Sequence, residues 1–322
     1  MINQGKSKKV KGKSVEHFLP FAFFLLPFAL NVAFASDKNA GTSGAAFLKI
    51  GEGARPAALG EAVTAVVDDV NAVAWNPAGL SKVPTPQFTA VQTQWLKGYE
   101  KSFVAGAYPL SWGVLAMSVT SLSVDGIEQR AADTDQPDST FSSNDAAYNL
   151  SYGKGLGDSW SLGGGVTLIR ESLAGVSASA VAGNLGVQWK AVSQPLSLGA
   201  AVRHLGSKIK FNEEGDPLPT VASIGTGCRF LDDRVRVSAD LRYPLHDKMS
   251  YGAGVELVRP LPWNMSAALR AGYNSAATDP SGGMVGLTAG MGVTWKSWGF
   301  DVAWAPYGDL GQTFRYALLV KF

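Results

Sequence analysis

Cysteine is almost missing: Cys228 is the only one in 322 residues. One thiol excludes an intramolecular disulfide framework and a multi-cysteine metal site. Histidine is nearly as scarce. His17 falls in the leader described below, and His204 and His246 lie far apart with no ligand spacing. Charged residues make up only 17% of the chain, and no long apolar run follows residue 35, so no transmembrane-helix candidate lies there. The chain has 28 basic and 26 acidic residues. Five of those lysines and one acid (Glu16) belong to residues 1–35, which leaves 28 − 5 = 23 against 26 − 1 = 25, a net charge of −2. With no basic patch interleaved with stacking aromatics, nucleic acid is excluded as a partner. A catalytic constellation is missing too. Asp68-Asp69 is a close acid pair, but adjacent helical residues point about 100° apart, so the pair suits a helix start better than acid–base work. No cofactor is implied. The glycine pairs Gly225/Gly227 and Gly290/Gly292 alternate within strands and open no helix, so they fit close packing against an internal element, not a phosphate loop.

The amino terminus reads as an address. Lys6, Lys8, Lys9, Lys11 and Lys13 precede an apolar run, Phe18 to Ala35, that ends in the small-x-small triplet Ala33-Phe34-Ala35. Residues 1–35 are predicted to be a secretory signal peptide cut after Ala35. The alternative is a membrane anchor, but Pro20, Pro27 and Asn31 interrupt a run that is barely long enough to span. What remains is 322 − 35 = 287 residues, rich in glycine (37) and in Trp and Tyr (nine each). An exported, apolar, aromatic-rich chain without a spanning helix can pair all its backbone edges in lipid by closing a β-barrel.

From Gln87 to Phe322 apolar residues recur with period two. Val235, Val237, Ala239, Leu241 and Tyr243 share one face; Arg234, Arg236, Ser238, Asp240 and Arg242 share the other. The stretches carrying Arg270, Asp301, and Arg315 with Lys321 behave likewise. Apolar-out, polar-in segments of about ten residues mark an outer-membrane barrel. Fourteen such segments start near residues 87, 102, 112, 145, 159, 177, 196, 220, 234, 249, 263, 284, 298 and 312. Arg234, Arg236, Asp240, Arg242, Arg270, Asp301 and Arg315 are therefore the candidate lumen charges. Long polar connections follow segments 3 (Asp125 to Asn144), 7 (Gly206 to Pro219) and 11 (Asn274 to Gly283), whereas links after even segments are short. Since such barrels have short periplasmic turns and long outer loops, both chain ends are expected in the periplasm. Aromatics near segment ends (Trp95, Trp112, Trp160, Trp189, Tyr243, Trp263, Trp298, Phe322) fit interfacial girdles. A soluble β-sandwich is the alternative, but it would need a second core face, and the polar faces carry Arg and Asp together.

Residues 36–86 are too few for their own core and are read as a segment packed inside something larger. Phe47 to Ile50 is a short strand or a helical turn, and Glu61 to Val67 reads as a strand. Asn76-Pro77-Ala78-Gly79 has the chemistry of a short helix: Asn76 to cap it, Pro77 at its first position, Gly79 to end it. This gives three parts: signal peptide 1–35, amino-terminal hatch 36–86, barrel 87–322.

Gly41 to Ile50, Arg55 to Ala62 and Asn71 to Gly79 resemble the opening of PorV/PorQ family outer-membrane proteins, a family similar to the FadL group of hydrophobic-compound transporters. Tyr307 to Arg315 and the terminal Phe322 resemble the last hairpin of the same proteins. The resemblance implies a 14-strand barrel around a hatch holding Asn76, Pro77 and Ala78. It also implies that insertion machinery reads Phe322, and that the PorV branch binds and shuttles secreted cargo in type IX secretion. Two non-enzymatic roles are therefore open: a secretion-linked binding protein with protein cargo, or a passive transporter of a small hydrophobic ligand. The many lumen charges fit salt-bridged sealing around the hatch better than a wide greasy channel.

Overall fold

The computed structural model describes residues 42–96, 99–277 and 284–322. Fourteen antiparallel strands close a barrel. They are β1 (Gln87–Gln94), β2 (Glu100–Leu110), β3 (Gly113–Gln129), β4 (Ser139–Leu156), β5 (Trp160–Leu173), β6 (Val176–Lys190), β7 (Leu196–Gly206), β10 (Val221–Phe230), β11 (Val235–Pro244), β12 (Ser250–Leu261), β13 (Met265–Asn274), β14 (Leu287–Trp295), β15 (Trp298–Pro306) and β16 (Gln312–Lys321). Between β7 and β10 stands a separate hairpin, β8 (Ile209–Lys210) with β9 (Gly215–Asp216). The ring closes where β1 pairs with β16, from Gln87 opposite Lys321 to Gln94 opposite Phe314.

Polarity is inverted relative to a soluble β protein. Outward positions such as Val104, Met117, Leu150, Val166, Leu185, Ile224, Leu269 and Phe300 are exposed and apolar. Fully buried side chains include Lys101, Gln188, Glu256 and Asn76. Period-two alternation thus sends apolar groups to lipid and polar groups to the lumen. No helix among the described residues is long and apolar enough to cross a membrane.

The strand count and most boundaries match the alternation, with two departures. The connection expected from Asp125 to Asn144 is mostly strand: β3 runs to Gln129 and β4 starts at Ser139, with a register shift between Val124 and Ile127. Polar residues there extend a hairpin past the apolar band, where alternation stops reporting. The connection after β7 contains the β8–β9 hairpin. The connection after β13 is described only at its ends, Ser275–Ala277 and from Met284 onward. Aromatics mark both ends: exposed Tyr108, Trp112, Trp160, Trp263, Trp295 and Trp298 lie at the short-turn end, and exposed Tyr99, Tyr243 and Tyr251 lie toward the other, as do Trp95 and Trp304.

The hatch fills the lumen with short helices and turns. Ala46–Lys49 is a 3-10 turn; α1 (Ala54–Ala58) and α2 (Ala72–Trp75) are α-helical; Pro77–Lys82 is 3-10. Phe47 to Ile50 is therefore the helical option. Glu61 to Val67 is no strand: Glu61 has φ 61° and the residues after it turn, because each strand edge of the wall already has a partner. The hatch threads the barrel from end to end. Gly44 N–H donates to Pro217 O (3.0 Å) and Lys49 pairs with Asp247 (3.1 Å), both beside the long connections. Pro86 accepts from Phe322 N–H (2.9 Å) at the opposite end. The first described residues, from Thr42, thus lie away from the carboxy terminus, while the amino terminus itself falls outside the described residues. Residues 1–41, including the expected signal peptide, lie outside the described residues.

Candidate functional site

Asn76 fastens the hatch. Its Oδ1 accepts from Ala78 N–H (3.1 Å), capping the Pro77–Lys82 helix with Pro77 at its first position. Its Nδ2 donates to Thr64 O (2.7 Å) within the hatch and to Val187 O (3.1 Å) on β6. Every polar atom of a fully buried amide is thereby engaged. Gly79 does not end this helix, which runs on to Lys82. It is glycine because a Cβ there would strike Val67 O. On the wall side, a Cβ at Gly163 would strike Pro77 and Ala78, and one at Gly186 the Asn76 amide. The hatch helix therefore lies directly on strand backbone.

Arg55 on α1 centres the first ionic network. It donates to Asp68 (2.8 Å) and, through Nε and Nη2, to both oxygens of Glu256 on β12 (3.1 Å each). Glu256 also receives Arg236 (3.2 Å) and Arg270 (2.7 Å); Arg270 continues to Asp301 (2.5 Å), and Arg229 reaches Asp68 (3.3 Å). Three wall arginines and one hatch arginine thus share three carboxylates, with Asp69 at the margin (3.5 Å from Arg55). Burial pushes the Asp69 carboxyl up, only partly opposed by Arg55. Burial acts the same way on Asp68, but Arg55, Arg229 and Arg236 together outweigh it and hold that carboxyl below its ordinary value. Asp68-Asp69 is thus mainly an anchor for arginine. Only Asp69 serves the local turn, accepting from Asn71 N–H (2.9 Å) ahead of α2.

A second network lies nearer the long connections. Glu61 pairs with Arg242 (2.9 Å) and Arg315 (3.8 Å), and Arg242 also donates to Asn274 (2.7 Å). Asp240 accepts from Thr64 N–H (2.8 Å). Lys101, with a fully buried side chain, pairs with Glu52 (2.6 Å) and donates to the carbonyls of Phe47 and Ile50.

Six of the seven candidate lumen charges therefore belong to these networks: Asp240, Arg242 and Arg315 meet the hatch directly, and Arg236, Arg270 and Asp301 join it through Glu256. Arg234 does not: it is exposed in the turn before β11, which begins one residue later than the alternation implies. Phe322 is exposed beyond β16, away from the lumen. The hatch partners Arg55, Glu52 and Glu61 carried no periodic signal. Glu256 was legible, since β12 alternates Gly252, Gly254 and Glu256 inward with Tyr251, Val255 and Leu257 outward.

Two cavities that the described residues enclose between hatch and wall are small. One of about 10 Å³ lies beside Arg55 and Cys228, and one of about 40 Å³ lies between the hatch and β2–β7. A cavity that takes benzene is on the order of 150 Å³. A larger notch of about 570 Å³ is open at the short-turn mouth, between the turns following β6 and β10. No group of metal-ligating side chains occurs among the described residues.

No family model and no curated protein matches the chain in sequence. Solved structures do match. The Ralstonia pickettii toluene transporter TbuX aligns over 84% of this chain and 98% of its own at TM-score 0.59 and 14% identity. The Pseudomonas putida toluene transporter TodX aligns over 84% and 96% at TM-score 0.55 and 13% identity. A Pseudomonas aeruginosa FadL homologue aligns over 81% and 96% at TM-score 0.51 and 12% identity. The chain has the fold of FadL-like outer-membrane barrels. Residues 87–322 make up under three quarters of the sequence, so these alignments must reach beyond the FadL-like barrel wall into the preceding residues. The likeness falls on the FadL side of the resemblance and lends the PorV/PorQ side no support.

Proposed function

We propose that the protein is a non-enzymatic outer-membrane channel for small hydrophobic compounds, with its hatch shut in this structure. The observation that carries this reading is the likeness to toluene transporters over a span that exceeds the barrel wall. The cavities of about 10 and 40 Å³ between hatch and wall are smaller than one aromatic ring, so on this reading the hatch is displaced before a solute passes. On this reading the short turns and Phe322 face the periplasm, and the partners are outer-membrane lipid, the insertion machinery and the solute. The secretion-linked role with cargo proteins rests on the end motifs alone.

The test is uptake of labelled toluene, and of a labelled medium-chain fatty acid, into cells whose outer membrane otherwise excludes them. Expression should accelerate uptake of at least one compound in proportion to folded barrel. Uptake equal to that of cells carrying the empty vector overturns the proposal.

A further inference from the structure

The lumen wall is divided by charge. The wall side chains that form ion pairs with residues 52–69 of the hatch stand on β2 (Lys101) and on β10 to β16 (Arg229, Arg242, Glu256 and Arg315). Below Asp145 and Glu171 at the long-connection rim, and above Lys190 at the short turns, no lumen-facing residue of β3 to β6 is charged. That sector has two layers.

The upper layer is apolar. Ala147, Ile169 and Ala180 of the wall cluster with Phe47 of the hatch, and Ile209 of β8 fills the space among them, 1% exposed. Its hairpin pairs with no wall strand, so Ile209 can withdraw without breaking the ring. The lower layer is the 40 Å³ cavity, which shares Leu48 and Ala147 with the cluster. Its lining is polar. Glu52 is 8% exposed; its Oε1 takes Lys101 (2.6 Å) and Thr120 (3.1 Å), and its Oε2 is buried without a partner. Thr167 Oγ1 accepts from Asn149 (2.7 Å) and Asn184 (2.9 Å), which leaves its own proton to donate, and Ser118 adds a second hydroxyl. Arg203 borders the far side, bonded to Ala74 O (3.0 Å). The cavity thus offers one orphan acceptor beside hydroxyl donors. Ile169 and Thr167 lie two residues apart on β5, about 7 Å, so one small molecule spans both layers.

We propose that this sector binds a small neutral compound with one hydroxyl on an apolar body, a phenol or short alcohol. The hydroxyl donates to Glu52 Oε2 and accepts from Ser118 or Thr167, and the body takes the place of the Ile209 side chain. The site deepens the channel reading and rests on it for its purpose: it names a solute class that the charge-free side of the lumen suits better than a plain hydrocarbon, which would leave Glu52 Oε2 unpaired.

The probe is para-bromophenol, with para-bromoanisole, which lacks the donor, as its control. Binding to full-length protein in detergent is read by equilibrium dialysis against empty micelles, and crystals soaked in para-bromophenol are measured for anomalous scattering. Wild type should bind the phenol saturably and about tenfold or more tighter than the anisole, the worth of one hydrogen bond to a charged acceptor. Ile209→Ala should bind the phenol more tightly still, Glu52→Gln should narrow the gap between the two compounds, and a bromine peak should lie among Ala147, Ile169 and Ala180. Equal affinity for the two compounds, weaker binding in Ile209→Ala, or a crystal holding only water beside Glu52 overturns the proposal. Should Glu52→Gln fail to fold, the two compounds on wild type and the crystal decide. Because binding is read and not uptake, this site and the toluene channel can fail separately.

Discussion

At the scale of single residues, Asn76 combines two tasks that usually fall to different side chains: an oxygen that caps a helix, and an amide that ties the hatch to the wall. Asn76→Ala removes the cap, worth about 0.5–2 kcal/mol, and leaves buried carbonyls unpaired at roughly 1–3 kcal/mol each. Asn76→Asp keeps the cap but sets a carboxylate against Thr64 O and Val187 O, so it should be the worse of the two. Both should give folded barrels by heat-modifiable migration, with raised conductance in planar bilayers in the order Asp above Ala above wild type. Equal conductance in all three would make the motif a spacer; loss of the barrel in Asn76→Ala would make it part of the fold. The cap was legible because it is local, an Asn-Pro-Ala sequence with fixed backbone demands. The ties to Thr64 and Val187 were not, since they depend on where the helix docks. Three of the four alternating glycines were legible as packing sites: Cβ atoms at Gly225, Gly227 and Gly290 would press on Thr64, Val66 and Ala58 of the hatch.

At the scale of elements, α1 is held to β12 by charge, and the network fixes which substitution hurts most. Glu256 serves Arg55, Arg236 and Arg270 at once. Breaking a buried ion pair by removing one partner costs about 3–5 kcal/mol. Glu256→Gln leaves three cations short of an acid, whereas Arg55→Met leaves Glu256 with two. Hatch release, read as protease cleavage between Ala54 and Lys82 in otherwise intact barrels, should be faster in Glu256→Gln than in Arg55→Met, with the double variant between them. The reverse order would mean that α1 is held by packing. Acid has a definite sign here. Asp68 has a depressed pKa with the hatch docked, so its contribution is present above its free value, about 3.9, and is lost as pH falls through the lowered docked value. Asp69, raised, favours protonation in the docked state and does not open the hatch on the way down. Conductance should therefore stay low from pH 7 to 5 and rise only below the ordinary carboxylate range; opening near pH 6 would rule out Asp68 as the governing acid. The wall half of this network could be read from strand alternation, which gave Arg236, Arg270 and Asp301. The hatch half could not, because turns have no period.

At the scale of the whole molecule, the barrel is a closed hydrogen-bonded ring and the hatch is a separate filling. That division explains why the sequence told strand number so well: lipid on one side and a polar lumen on the other impose one pattern fourteen times. Phe322 stands at the seam, its N–H bonded to Pro86 O and its ring exposed. Deleting it removes one bond and the terminal aromatic, so folded yield in the outer membrane should fall while export continues; unchanged yield would reduce the residue to an ordinary strand end. The seam leads to a stronger test. From Gln87 to Gln94, β1 pairs with both β16 and β2, and none of those backbone bonds involves residues 36–86. A chain carrying residues 1–35 joined to Pro86 should therefore still close. Its lumen would change in character. Phe103, Ala105, Ala107, Val114 and Ala116, which now pack on the hatch, would face water, and their lost burial at about 25 cal/mol per Å² would weaken the barrel without opening the ring. Glu256, Arg236 and Arg270 would be hydrated in place of meeting Arg55. The expected outcome is a heat-modifiable barrel with a lower unfolding temperature and large, steady ion conductance. Failure to insert would show that the hatch nucleates closure from within, and wild-type conductance would show that the wall side chains alone seal the pore.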